Sequence, residues 1–322
     1  NYVFGTGTTS TPSSVVIGYS PNRPANPDLQ WEETHQTNIG FEMRLFQDFN
    51  LTFDWYKKNT EKILRESPIP EYVGAIAYPY ANIGKMENTG FEVELGYKKS
   101  IGELNFSING NVSYLENKVT YLGEKKFLDG EGFQGLQNIT RIEVGHSYHE
   151  FYGYQTAGIF QNQAEVDAHR DGSGNLIQPN AAPGDFRFVD RNGDGKITAD
   201  DRTYIGNPTP DWTYGLTLNL QYKDFDLTVL GQGVAGNQIF QGLRRLDIAN
   251  SNYQTAALGR WTGEGTSTTY PRLVDGDPNG NFSKFSDFYL QDGDYFRIKL
   301  VQLGYTIPKE ITTKARIQRA RL

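Results

Sequence analysis

The sequence predicts an all-β chain that forms part of an antiparallel transmembrane β-barrel. Three observations predict it: repeated strict alternation of apolar and polar residues, aromatic residues at the ends of the alternating segments, and links that alternate short and long along the chain. The first segment is Thr37-Ile39-Phe41-Met43-Leu45, alternating with Asn38, Gly40, Glu42 and Arg44. Leu51-Phe53-Trp55 follows, then Phe91-Val93-Leu95-Tyr97 with Glu92, Glu94 and Gly96 between them. The longest run is Leu104-Phe106-Ile108-Gly110-Val112-Tyr114. Tyr214-Leu216-Leu218-Leu220-Tyr222, Phe225-Leu227-Val229 and Phe296-Ile298-Leu300 complete the series. The last of these changes register at Val301, Leu303 and Tyr305, as a β-bulge would cause. Eight strands are read in all, with 149–160 a further candidate.

Alternation alone also fits a soluble sandwich, with one face in water. Aromatics that open or close the apolar faces (Trp55, Phe91, Tyr97, Tyr114, Tyr214, Tyr222) match the interfacial girdles of outer-membrane barrels equally well. The links decide. Those at Gln47-Asp48, Lys99–Gly102, Lys223-Asp224 and Pro308–Glu310 are short, whereas 66–86, 118–210 and 236–290 are long. Barrels of this kind have short periplasmic turns and long extracellular loops; a sandwich has no reason to keep that parity. Residues 1–34 are then a lead-in and 35–322 a partial barrel, with extracellular loops at about 66–86, 118–210 and 236–290. Small helices are expected at Gln163–Arg170 and Gln241–Ile248. Lys314–Leu322 starts an alternating pattern that stops without a turn, so both ends look cut and the chain is expected not to close a barrel alone.

Composition agrees. The chain has 322 residues, net charge −7, no Cys, 35 Gly, 20 Tyr and 19 Phe. The acidic balance gives no footprint for nucleic acid. Without Cys there is no disulfide framework, thiolate metal site or cysteine nucleophile. No apolar stretch approaches the ~18 residues of a membrane helix, and no apolar leader segment is visible after Asn1. No G-x-S-x-G or P-loop is present, so no catalytic residues are assigned and an enzyme is not expected.

The sharpest local motif is Asp190–Asp201. Asp190, Asn192 and Asp194 stand at loop positions 1, 3 and 5, Gly195 at 6 and Asp201 at 12, the spacing of a twelve-residue calcium loop. Lys196 would offer its backbone carbonyl and Thr198 would act through water. Asp201 is shorter than the usual Glu, so the loop must close more tightly. Calcium here is expected to be structural, rigidifying a long loop. Asp275–Asn281 is also rich in carboxylates and amides, but its proline and spacing spoil the template, and it reads as a polar loop. His146 and His149 lack a third ligand, and Glu92 and Glu94 read as lining a wet lumen.

Six ordered segments carry a resemblance. They are Asn26–Glu32 with Thr37–Gly40, Asn82–Glu92, Phe151–Tyr154 with Ala157–Phe160, Pro183–Arg187 running through the calcium-type loop to Gly206, Tyr222–Leu227 with Gln232-Gly233, and Leu290–Lys299 with Leu303–Pro308. Together they resemble the C-terminal half of the barrel in the SusC/RagA family of TonB-dependent outer-membrane transporters. His149-Glu150 departs from the family's approach to Phe151. The resemblance implies a large barrel (~22 strands with a plugged lumen) and energised import of a bulky nutrient, an oligosaccharide or a peptide. It also implies a SusD-like surface lipoprotein over the mouth, and a TonB system acting through an N-terminal plug absent from this stretch. Tyr253, Trp261 and Tyr270 are candidates for stacking on sugar rings. The rival reading is a soluble, calcium-stabilised extracellular β-protein that binds or hydrolyses carbohydrate.

Overall fold

The structure is a computed structural model. It describes residues 22–67, 69, 70, 72, 74, 76–248 and 251–322, with the backbone of two short strands at 2–4 and 16–18. Residues 1, 5–15 and 19–21 of the 1–34 lead-in therefore lie outside the described residues. In chain order the strands are β1 (Tyr2–Phe4), β2 (Val16–Gly18), β3 (Glu33–Leu45), β4 (Phe49–Glu66), β5 (Tyr80–Ile101) and β6 (Leu104–Tyr121). Then come β7 (Phe127–Asp129), β8 (Thr140–Glu143), β9 (Glu150–Gly153), β10 (Thr156–Ile159), β11 (Phe186–Phe188) and β12 (Thr203–Gly206). The last are β13 (Trp212–Tyr222), β14 (Phe225–Ala235), β15 (Gln238–Phe240), β16 (Leu290–Asp292) and β17 (Tyr295–Tyr305).

Seven long strands form one antiparallel sheet in the order β17-β14-β13-β6-β5-β4-β3. Its register puts every apolar set on one face: Met43 lies opposite Leu51, Leu51 opposite Leu95, Val93 opposite Val112, Ile108 opposite Leu218 and Leu220 opposite Leu227. That face is bare. Ile39 is 65 % exposed, Ile298 63 % and Leu303 70 %, which only an apolar solvent would tolerate over so wide a sheet. The opposite face carries Asp54 across from Glu92, and Glu94 across from Asn111. The expected bulge is present: Leu230 pairs with Leu300 and Gly231 with Ile298, leaving Lys299 as the extra residue. It returns Val301, Leu303 and Tyr305 to the apolar face.

Aromatic rings mark both margins of that face. Phe91, Tyr114 and Trp212 cluster at one level, with centroids 4.8–5.8 Å apart. Tyr97 with Phe106 and Phe225 with Tyr305 mark the other. From Trp212 to Tyr222 is ten residue steps, roughly 23 Å of height at ~3.3 Å rise and ~45° tilt. An outer-membrane barrel's apolar band is ~25 Å tall. No helix among the described residues is long and apolar enough to cross a membrane; the sheet provides the span.

Two expectations need correction. β4 and β5 run for 18 and 22 residues, about twice the ~9–11 a span requires, so the first long link is 67–79, not 66–86. Their outer halves lack apolar alternation and are held by the ladder and by ion pairs such as Lys57–Glu87 at 2.8 Å. Lys314–Leu322 is not an eighth strand. Pro308 opens a short helix, α2 (Lys309–Thr312), and Arg316 adopts a left-handed conformation. The chain then folds back, with Leu322 and Tyr305 exchanging backbone hydrogen bonds and Arg321 paired to Asp226. The two sheet edges, β3 and β17, do not pair with each other, so the seven strands form an open arc.

Candidate metal loop and the cap that holds it

All the long links leave from one end of the sheet. Links 122–211 and 236–294 fold together there as a cap with cores of its own. β12-β9-β8-β7 form a four-stranded sheet, while β10 pairs with β11 and β15 with β16. One apolar cluster joins Leu136 and Phe151 from the first link to Phe285 and Tyr289 from the second. Another gathers Ile159, Phe186 and Phe188 against Trp261 and Phe288. The candidate strand at 149–160 is present but broken at Tyr154-Gln155. α1 (Gln163–Ala168) is the expected helix, capped by the Asn162 side chain accepting from Glu165 N. The helix expected at Gln241–Ile248 is absent: that stretch is irregular, and a 3-10 turn follows at Thr255–Gly259.

The loop Asp190–Asp201 sits on the first link. Asp190 accepts from Gly193 N at 2.7 Å and Gly195 N at 2.8 Å, one to each oxygen. Asn192 Oδ1 accepts from Asp194 N, and Asp194 accepts from Lys196 N and Asn192 Nδ2. Asp201 is completely buried. Its Oδ1 takes Arg191 N and its Oδ2 takes Thr198 N, at 2.9 and 2.7 Å. Thr198 and Asp201 form a capping box on the 3-10 turn Ala199–Asp201. The Lys196 side chain is exposed. Gly195, at φ +80°, has its Cβ direction against Asp171, so a side chain fits neither its backbone nor its space. Asp171 is ionised below its usual range by Asn175's side chain and by backbone N–H groups.

The donors suit calcium in kind and order, being hard oxygens. Each oxygen of Asp190 and Asp194 keeps a lone pair beyond the one its hydrogen bond takes. Their present arrangement is a hydrogen-bonded turn: among the described residues no three His, Asp or Glu side chains converge into a metal-sized group. His146 and His149 diverge. His146 bonds Glu150 at 2.8 Å and stacks on Tyr204, while His149 bonds Thr140.

The residues that sequence reasoning passed over are the amides of the second link. Asn279 and Asn281 are buried. Asn281 donates to Asp185 and accepts from Phe186 N, while Asn279 donates to Phe186 O and accepts from Gln178. Asp185, fully buried, meets Arg272 in a two-bonded pair at 2.6 and 3.0 Å. Gly184, at φ +92°, lies flat on Trp261. Trp261 is thus packing, and Tyr270 packs against Phe282 and Phe288. Asp277 closes its own loop by accepting from Asn281, Phe282 and Ser283 N–H groups. The signal available in sequence was Asp277's position before three turn-forming residues; the partners, some hundred residues away, gave none.

A cavity of about 470 Å³ lies where the 190–201 loop, residues 171–180 and Pro278–Lys284 meet. Burial pushes the Lys284 amine below its usual range, against the pull of Asp277; it donates to Asn279 O and lies over Phe188.

A sheet with a bare apolar face, aromatic margins and one capped end is an outer-membrane wall, and the family model agrees: residues 2–318 match the TonB dependent receptor-like β-barrel. The chain belongs to the TonB-dependent receptor family. It is 32 % identical over 306 residues to TonB-dependent receptor P3 of Formosa agariphila, covering 92 % of this chain and 29 % of that one. It is 25 % identical over 300 residues to TonB-dependent receptor SusC of Bacteroides thetaiotaomicron, covering 89 % and 27 %. The solved RagAB peptide transporter superposes with a TM-score of 0.69 at 23 % identity, over 99 % of this chain and 33 % of that one. The same importer in its open-open state gives 0.71 at 22 %. The stretch thus spans under a third of the length of these curated relatives. It is a SusC/RagA-like piece of a large antiparallel barrel in the bacterial outer membrane, and the soluble reading is set aside.

Proposed function

We propose that this chain supplies wall and extracellular mouth to a TonB-dependent importer of a bulky nutrient, an oligosaccharide or a peptide, working with a SusD-like surface lipoprotein. The observation that carries this reading is the asymmetry of the sheet. One end has two- and three-residue turns; the other has strands rising past the membrane into a cap with its own cores. A wall needs neither of these, whereas a mouth that must hold cargo until a plug moves needs both. RagAB is described as a peptide importer with open-open and closed-closed states, which supports a lidded mouth here. Neither the plug, its TonB contact nor a catalytic step is assigned to this stretch.

Within the cap, the reading for Asp190–Asp201 is a structural calcium site. Asp190, Asn192 and Asp194 would hold the ion by side chains and Lys196 by its carbonyl, with Thr198 through water and Asp201 closing the loop.

Two experiments test these readings. Tagged full-length protein taken from the outer membrane should bring down a surface lipoprotein, and cells lacking TonB should stop taking up its nutrient. A lone barrel, with uptake independent of TonB, would contradict the importer reading. Calcium should slow proteolysis of residues 170–205 in the parent protein but not in Asp190→Ala/Asp194→Ala. Equal protection of both, or of neither, would remove the calcium site.

A further inference from the structure

A second, smaller cavity lies in the cap. It measures about 140 Å³ and is bounded by Arg244, Tyr270, Gln241, Gln254 and Gln291 among others. Drug-sized sites run to ~300–1,000 Å³, so this one holds a single small unit. Its lining contains no Asp or Glu. Arg244 is the charge of the site. Its Nε is buried without a hydrogen-bond partner among the described residues, and its guanidinium lies 3.9 Å over the Tyr253 ring. The neighbouring Arg245 is committed to Asp247, and Arg272 to Asp185. Arg244 has no such carboxylate among the described residues. A buried guanidinium donor without an acceptor is costly, and the ring that orients it leaves its edge free for bonding. The field is positive beyond Arg244 alone: Arg244 and Arg260 both act on the Tyr270 phenol, although burial raises its pKa overall.

The remaining wall is amide and aromatic. Gln241 donates to Gln254 at 2.7 Å, which leaves the second N–H of Gln241 and the whole amide N–H₂ of Gln254 for a guest. A glutamine offers donor and acceptor together, which suits hydroxyl groups that do both. Tyr270 gives a flat apolar flank, held in place by Phe282 and Phe288.

We propose that this cavity is a binding site for a small polyhydroxylated acid, a sugar acid by chemical class. Its carboxylate meets Arg244, its hydroxyls meet Gln241, Gln254 and Gln291, and one ring face lies on Tyr270. The site goes beyond the importer reading, since binding to purified protein requires neither TonB nor transport. Failure of uptake would therefore leave it standing, and failure of binding would leave the importer reading standing.

Binding of galacturonate, galactose and N-acetylglutamate to full-length protein in detergent tests it, by ligand-observed NMR. Galacturonate should bind in the millimolar range expected for so small a ligand, and galactose at least tenfold more weakly. Arg244→Met, which keeps an unbranched apolar stem and removes the guanidinium, should weaken galacturonate at least tenfold, and Arg244→Lys less. Gln291→Leu, at an exposed position, should weaken it a few-fold without disturbing the fold. Heat-modifiability on gels would report that each variant is folded. Wild-type affinity in Arg244→Met overturns the site, as does no saturable binding of galacturonate. N-Acetylglutamate binding as tightly as galacturonate overturns the sugar-acid assignment in favour of a peptide carboxylate.

Discussion

The seven-stranded sheet and the cap are built from the same chain, yet they bury opposite things. Among the described residues, Val119 is the one buried apolar side chain of the seven-stranded sheet, near the cap end of β6; the others are in the cap. The sheet turns Leu, Ile and Phe outward and lines its other face with Asn, Thr and Glu. The cap does the reverse and also buries Asp185, Asp201, Asn279 and Asn281. The difference follows from the solvent. In lipid the sheet is stable because its inner strands pair their backbone groups on both sides and the apolar face has nothing to hide from. In water the cap must collapse on hydrophobic cores, and its long irregular backbone must be satisfied by side chains. Phe186 N–H and carbonyl, for example, are met by Asn281 and Asn279.

Substitutions that break one region and spare the other sharpen this contrast. The largest effect is expected from Asp185→Ala. It leaves Arg272 and Asn281 without their buried partner, a loss of about 3–5 kcal/mol. Limited proteolysis should cut residues 178–188 and 272–284 readily, while heat-modifiability of the barrel stays unchanged. Next, Leu218→Arg puts a charge at mid-strand on the lipid face and should cost about 2–4 kcal/mol of barrel stability. Thr217→Arg, one residue away on the wet face, should cost little. Urea unfolding in lipid vesicles would compare the two. Gly184→Ala forces a side chain into a left-handed backbone against Trp261, at about 1–3 kcal/mol, visible as raised amide exchange in the cap alone. Thr198→Ala removes half of the capping box, about 1 kcal/mol, and should loosen only 190–201. The smallest effect is on pH. Burial, with Arg187 nearby, holds the His169 imidazole below its ordinary value of 6.5. The folded cap therefore binds fewer protons than the unfolded chain, and its stability falls as pH drops below that value. Proteolysis of the cap should be faster at pH 5 than at pH 7.5, and the difference should shrink in His169→Gln.

The contrast also explains what could be read in the sequence. Leu216-Leu218-Leu220 and the register change at Val301 were legible because a lipid-facing strand repeats with period two and needs no distant partner. The outer halves of β4 and β5 were not, since Lys57, Asn59, Glu87 and Asn88 stand in water and lose the alternation while keeping the ladder. The calcium spacing was legible because all its donors are local. Asn279 and Asn281 looked like turn residues, and only the fold, by bringing Asp185 and Phe186 to them, makes them interior. Lys314–Leu322 misled because alternating polar and apolar residues also occur in a segment that Pro308 has turned back on itself.

The central claim is that the apolar face of the sheet meets lipid and the polar face meets the lumen. It is tested most directly along β13 in the full-length protein. This stretch contains no Cys, so single cysteines at Leu216, Thr217, Leu218, Asn219, Leu220 and Gln221 can each carry a spin label in vesicles. The account predicts alternation: high collision with oxygen at 216, 218 and 220, and high collision with a water-soluble nickel complex at 217, 219 and 221. Uniform water accessibility along the strand, or the reverse alternation, would contradict it.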